Sequence, residues 1–440
     1  MSTDSQVPRS LIGKYLDNAP TSVFVFYAIF ASFSTYFCMY AFRKPFGVAK
    51  YEGLQFMDTD LQIKTAFVIS QIIGYCLSKY LGCKFCSEVK RANQAKALVG
   101  MILIALAALF GFAVAPPNLK VVFMFFNGIP LGMIWGLVSR YLEGRKTAEL
   151  LFAGLSCSYI VASSMVKTVG AWLMQAGVPE FWMPVTVGGL FLVPFCLAVF
   201  LLNQLPEPNA EDIASRSRRT TMDGHDRMAF LRQFLPGMIM LLILYFFLTA
   251  YRDFRDNYMP EVFTAMGYAD EPTLFSKADL PIGFGILVVM AALNLVKDNR
   301  KGLAAVYGVM VGGMLLMAGA TLLYDFGRIS GLWWMILIGF GAYLAYVPFG
   351  AVLFERIMAS TKAIGTAVFA IYLSDAIGYT GSVGIQVFKD FGAAELNYFQ
   401  FLRIFTYSMA VIGCVLFFFS GIYFLQKAKG SAVQGQPSEN

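Results

Sequence analysis

Ser22 to Phe46 reads SVFVFYAIFASFSTYFCMYAFRKPF. An apolar run of this length spans a bilayer as a helix. It closes on Arg43 and Lys44, immediately before Pro45. An arginine this close to the end of a span is costly in lipid, so it should face protein or a water-filled cavity. Tyr36, Tyr40 and Arg43 are spaced four and three apart, which predicts a single helical face. That face is aromatic, hydroxylated and cationic, a combination that suits an anion.

Working outward, the 440-residue chain is 58% hydrophobic, 16% aromatic and only 14% charged, with a mean hydropathy of +0.63. A soluble domain carries about 25% charged residues, so the composition predicts a polytopic membrane protein. The net charge of +7 is spread over short loops between apolar runs, which argues against nucleic acid as a partner. Seven cysteines (Cys38, Cys76, Cys83, Cys86, Cys157, Cys196 and Cys414) lie mostly inside apolar runs, so no disulfide framework is expected. The pair Cys83 and Cys86 has no second pair and no nearby histidine. The single histidine, His225, sits in a charged stretch. No metal or other cofactor is therefore expected. With no Walker loop and no Ser/His/Asp set, the chain does not read as an enzyme. The polar stretch before Ser22 shows no cleavable signal pattern, so the first span should be retained.

Apolar runs recur near 22–46, 61–83, 95–115, 119–141, 149–173 and 182–203, then near 236–259, 279–296, 302–323, 332–354, 363–388 and 400–425. The predicted fold is an all-α membrane protein of 12 transmembrane helices in two pseudo-symmetric six-helix bundles, at 1–205 and 236–426. Between them, 206–235 is polar and includes Arg216, Arg218 and Arg219; it reads as a solvated linker, and 427–440 reads as a disordered tail. Most Lys and Arg fall on one side if both termini are cytoplasmic, which sets the expected orientation in a cell (inner or plasma) membrane. Two six-span repeats predict a site where they meet, near the bilayer midplane.

The seventh span carries Tyr245, Thr249, Arg252, Asp253, Arg255 and Asp256 ahead of Pro260, so the first helix of each half bears an arginine at similar depth. Guanidinium is always charged, and its planar fork matches phosphate bidentately. Arg43 and Arg252 are thus the leading candidate ligands. The alternatives are snorkelling of Arg43 and an intrahelical pair of Arg252 with Asp256. Gln71, Tyr75 and Lys79 repeat every four residues and form a polar stripe on the second span. Tyr159 and Ser163 share a face of the fifth span. Asp375 is the acid well inside the eleventh span and is a candidate for proton coupling. Lys44, Arg255 and Lys167 form a second tier. Lys167 is expected to reach the outer interface, Lys44 either to serve the substrate or to point to the outer surface, and Arg255 to pair with nearby acids. The glycine pairs Gly188-Gly189 and Gly312-Gly313 are expected at close helix contacts.

At these residues the chain resembles the major facilitator superfamily, and within it the organophosphate:phosphate antiporters. The resemblance rests on Tyr36, Tyr40, Arg43 and Lys44 with the following Pro45-Phe46-Gly47-Val48-Ala49-Lys50, and on Tyr75, Ser78 and Lys79. Arg252 stands eight residues before Pro260, and Pro348, Lys362-Ala363, Gly365-Thr366-Ala367 and Gly378 also look similar. The chain departs from the family at Tyr159, where the family has a histidine. It departs again at Gly82–Glu88, where the superfamily's acidic loop residue is displaced. The resemblance implies alternating access between the two bundles. It also implies exchange of a phosphate ester for inorganic phosphate, held by Arg43, Arg252 and Lys79 with the hydroxyls of Tyr36, Tyr40, Tyr75 and Tyr159.

The expected function is a secondary active transporter of a small organic anion, acting as a monomer in the lipid bilayer with inorganic phosphate as counter-substrate. An empty site lined by cations should resist closing, because like charges repel in a low dielectric, and that favours exchange. Two other readings stand: a proton-coupled carrier of another solute with Asp375 titrating, and a non-transporting membrane sensor on the same fold.

Overall fold

The computed structural model describes residues 10–57, 59, 61–208, 212, 224–268, 271–361 and 367–433. Arg216, Arg218, Arg219 and Lys362 to Thr366 lie outside the described residues, as does the tail beyond 433. The chain divides into two compact units, Met1–Arg216 and Ser217–Asn440, a division that falls inside the expected linker.

The first unit contains a short helix α1 (Leu11–Asp17), then α2 (Thr21–Tyr40), α3 (Ile63–Glu88), α4 (Arg91–Val114), α5 (Pro117–Ser139), α6 (Ala148–Gln175) and α7 (Met183–Asn203). The second contains α8 (Gly224–Asn257), α9 (Met259–Ala265), α10 (Leu274–Asn294), α11 (Asn299–Asp325), α12 (Gly331–Pro348), α13 (Phe354–Thr361), α14 (Ala367–Phe391) and α15 (Tyr398–Val433). Each expected apolar run coincides with a helix. Among the described residues, ten helices are long and apolar enough to cross a membrane by length and composition alone. The helices α3 and α14 carry polar residues along their length, Lys64, Gln71 and Lys79 on one, and Asp375, Gln386 and Lys389 on the other.

Inside each unit the helices pack in the same pattern. In the first, α2 contacts α5, α6 and α7; α5 contacts α3 and α4; and α4 contacts α7. In the second, α8 contacts α12, α14 and α15; α12 contacts α10 and α11; and α11 contacts α15. Span for span these are the same contacts, so the two bundles are structural repeats. Their outer faces carry exposed apolar side chains such as Phe26, Phe110, Val193, Val288 and Val411, as a lipid-facing surface requires.

Close contacts are built where small residues let backbones approach. A Cβ on Gly128 of α5 would lie 2.2 Å from the Gln71 carbonyl oxygen of α3, and one on Gly313 of α11 would lie 2.4 Å from the Gly341 carbonyl oxygen of α12. Of the two expected pairs, Gly188 and Gly313 sit at contacts, while Gly189 and Gly312 face open space.

Several boundaries differ from expectation. The first span's α-helix stops at Tyr40, and Arg43 lies in the turn that follows. Pro45 has no N–H to continue the ladder and biases the preceding residue away from helix; a 3₁₀ turn covers Pro45–Val48. Helix is already present from Gly224, inside the expected linker, with non-helical backbone at Phe234 just before Pro236. The last helix runs to Val433, into the stretch expected as tail. Three arginines near helix ends have a structural role. Arg91 donates to the Leu205 carbonyl at 2.7 Å, Arg140 to the Val89 carbonyl at 2.6 Å, and Arg145 to the Pro206 carbonyl, so they satisfy backbone acceptors at helix ends. Burial lowers the Arg145 pKa to about 10.

Candidate functional site

In the first unit the end of α2 is unwound within the bundle, which frees backbone carbonyls that lipid cannot satisfy. Two amides do so. Gln71 Nε2 on α3 donates to the Arg43 carbonyl at 3.0 Å and to Asn127 Oδ1 on α5 at 2.7 Å. Asn127 Nδ2 in turn reaches the Phe42 and Ala105 carbonyls, each at 3.1 Å. This relay fixes the turn that presents Arg43. The pairing of Gln71 with Asn127 has no signature in the sequence, because they lie on different helices.

Arg43 is only 5% exposed. Its guanidinium carbon lies 3.9 Å from the Tyr75 ring centroid and 5.8 Å from that of Tyr40. Lys79 Nζ lies 5.1 Å from the same Tyr75 ring. Tyr36 meets Tyr75 hydroxyl to hydroxyl at 3.5 Å and packs edge-on against Tyr40. Trp135 of α5 joins the group, with ring centroids 5.0 Å from Tyr36 and 6.1 Å from Tyr159. The structure therefore gathers Arg43, Lys79, Tyr36, Tyr40, Tyr75 and Tyr159 into one cluster. Trp135, which sequence reasoning missed, connects Tyr159 to it. A lone tryptophan in an apolar run gives no periodic signal.

The expectation for Lys167 is corrected, and that for Lys44 is narrowed. Lys44 is 6% exposed and Lys167 is fully buried, so neither reaches the outer interface. Lys44 precedes the 3₁₀ turn that α6 packs against, and Lys167 stands on α6 itself. Protein, not lipid, surrounds both.

In the second unit Arg252 stacks over Tyr346 of α12 at 4.2 Å. Its Nε and Nη2 donate to Asp253 Oδ1 at 3.2 and 2.8 Å. The bonded acid is thus the adjacent Asp253; Asp256 at i+4 was the expected alternative. Asp253 Oδ2 accepts from Ser382 Oγ of α14 at 2.7 Å, which holds the carboxylate against Arg252. Arg255 pairs as expected with an acid, Asp279 of α10, at 3.0 Å, and also donates to the Met335 carbonyl at 2.9 Å. Gly339 makes room for it: a Cβ there would lie 2.7 Å from the guanidinium carbon. Tyr245 Oη lies 2.8 Å from Asp375 Oδ1 and 3.0 Å from Tyr346 Oη. With the Tyr245 proton given to the carboxylate, the Tyr346 hydroxyl completes the chain. Gly378 permits this approach, since a Cβ there would lie 2.8 Å from the Tyr245 ring. Tyr346, Asp253 and Ser382 were not picked out as site residues from sequence.

The two clusters differ chemically. The first sets cations on aromatic faces and hydroxyls, an arrangement that can hold an anion. The second combines cations with carboxylates and tyrosines, an arrangement that can also exchange a proton. Among the described residues no group of three or more His, Cys, Asp and Glu is placed to hold a metal ion.

A family profile described as "Family of unknown function (DUF5690)" matches residues 45–427. No curated protein sequence matches the chain. Among solved structures, the crystal structure of a D-xylose-proton symporter aligns with 91% of this chain and 97% of its own at 15% identity and a TM-score of 0.59. The proton:xylose symporter XylE of the major facilitator superfamily, bound to 6-bromo-6-deoxy-D-glucose, aligns over 91% and 96% at 14% identity and a TM-score of 0.60. Neither is an organophosphate:phosphate antiporter. At such identities the likeness carries the fold and leaves the substrate to the site. The chain is a multi-span membrane protein with the fold of the major facilitator superfamily, and it belongs to the family of unknown function DUF5690.

Proposed function

We propose that this protein is a secondary transporter of a small organic anion, most simply a phosphate ester taken in exchange for inorganic phosphate. The observation that carries the reading is the placement of Arg43, 3.9 Å over Tyr75, with Lys79 on the same ring and the hydroxyls of Tyr36 and Tyr40 alongside. Two cations within one aromatic, hydroxylated cluster match the charge and acceptor oxygens of a phosphate monoester, which carries roughly −1.5 to −2 near neutral pH. The fold supports transport by alternating access. Arg252 is the second proposed arginine, and the motif at Tyr36, Tyr40, Arg43 and Lys44 supports the phosphate-ester assignment.

The test is thermal unfolding of the purified full chain with inorganic phosphate, phosphate esters and carboxylates. A bound anion at about 100 times its Kd stabilises the fold by ~2.7 kcal/mol. The expected result is a rise in the unfolding midpoint with at least one phosphate ester, lost in Arg43→Lys, whose own midpoint without ligand is unchanged. A shift that persists in Arg43→Lys rules out a guanidinium phosphate site.

A second reading is favoured by the Tyr245–Asp375 contact of 2.8 Å and by the proton symporters that share the fold. In it the solute is carried with a proton held at Asp375. Uptake that collapses when the proton gradient is dissipated, with no stimulation by phosphate on the far side, selects this reading over exchange.

A further inference from the structure

The contact between α8 and α14 is polar along most of its length. On α14, Asp375, Tyr379, Ser382, Gln386 and Lys389 follow a spacing of four, three, four and three, which places them on one face. On α8, Tyr245, Thr249, Asp253 and Asp256 form the corresponding row. Two hydrogen bonds set the register, Tyr245 to Asp375 at 2.8 Å and Ser382 to Asp253 at 2.7 Å. One turn beyond Ser382, that register brings Gln386 level with Asp256 and Asn257.

Two side chains in this row are buried without a partner. Gln386 is 0% exposed, and neither its amide oxygen nor its amide nitrogen has a hydrogen-bond partner in the protein. Thr249 is 1% exposed, and its hydroxyl is likewise unpartnered. Each such group is costly if left unsatisfied, and buried polar groups in folded proteins are rarely left so. Leucine and valine would fill the same space in lipid at no such cost. Polar atoms in an otherwise apolar bundle, with further polar residues one turn away, supply the two to four partners that an internal water takes.

We propose that the α8–α14 seam binds internal water at Gln386 and Thr249, forming a hydrated track beside Asp253 and Asp375 within the second unit. The track continues toward Lys389, which lies 4.9 Å from the Tyr398 ring, and Asp390 at the end of α14. Water here places exchangeable protons next to two intramembrane carboxylates. The site does not depend on which solute the chain carries.

The test is hydrogen–deuterium exchange of the full chain in lipid nanodiscs, read by mass spectrometry on peptides from α8 and α14. Helix amides exchange only when their hydrogen bonds open locally, and water already inside the seam lets such openings exchange without separating the two helices, so amides flanking the seam should exchange faster than those of α11. Gln386→Leu and, separately, Thr249→Val should remove that difference while raising the unfolding midpoint or leaving it unchanged. Equal protection of α8, α14 and α11 in the wild-type chain overturns the proposal, as does fast exchange that neither substitution slows. If Gln386→Leu fails to fold, the near-isosteric Thr249→Val decides the matter alone.

Discussion

In the first unit Arg43 lies 3.9 Å over Tyr75, and the rings around it bring no formal charge. In the second, Arg252 lies at a similar 4.2 Å over Tyr346 but is also bonded through two nitrogens to Asp253. The repeats thus place an arginine on an aromatic face in both halves, and in the second that arginine is also bonded to a carboxylate. Sequence shows the cause. The helices of the first unit carry acids only at their ends, Asp17, Glu88 and Glu149, whereas α8 sets Asp253 and Asp256 beside its own arginines. A ring face holds a guanidinium by its plane and leaves its charge for an anion. A buried carboxylate consumes that charge in stability. On the proposed reading the first cluster serves recognition, and the second adds structural ion pairing. The repulsion invoked for an empty cationic site is correspondingly weaker at Arg252.

The largest effect expected from this contrast lies with Arg255 and Asp279, whose side chains are each 3% exposed. Asp279→Ala strands a buried guanidinium and should destabilise the second unit by about 3–5 kcal/mol. Replacing both partners, Arg255→Met with Asp279→Leu, should recover most of the loss in thermal unfolding. A single mutant as stable as the wild type would mean that this pair is not the structural half of the contrast.

Next in size is the backbone contact that holds α3 against α5 and so supports Tyr75. Gly128→Ala places a Cβ where the Gln71 carbonyl oxygen would lie 2.2 Å away, and should cost about 1–3 kcal/mol. Its unfolding midpoint should fall, and any anion-induced shift should shrink with it.

Tyr75→Leu keeps the bulk between the helices but removes the face under Arg43 and Lys79. Losing a cation–π contact of about 0.5–2 kcal/mol weakens anion affinity roughly two- to thirty-fold. The readout is the anion concentration that gives the half-maximal midpoint shift, and unaltered affinity would detach Tyr75 from the site.

The smallest effect is expected for Tyr245→Phe. A hydrogen bond between membrane helices averages about 0.6 kcal/mol, so the midpoint should barely move. If Asp375 carries a proton during transport, however, the pH dependence of uptake should change. An unchanged pH profile would leave the Tyr245–Asp375 contact as packing.

Sequence alone determined the spans, their division into two sets of six, and the identity of the cationic and tyrosine residues in the first cluster. These follow from hydropathy over bilayer lengths and from helical spacing, both local properties of the chain. It also indicated that Arg255 pairs with an acid, though not that the acid is Asp279 on the next span. What only the tertiary structure decided depends on side chains from different helices meeting. Trp135 joins Tyr36 to Tyr159, and Gln71 with Asn127 secures the unwound turn at Arg43. Ser382 steadies Asp253, while Lys44 and Lys167 are covered by neighbouring protein. Spacing along one helix fixes which residues share a face. Which face it meets across the bundle is set by packing, where glycines such as Gly128 and Gly378 let particular helices approach and bring their polar rows into register.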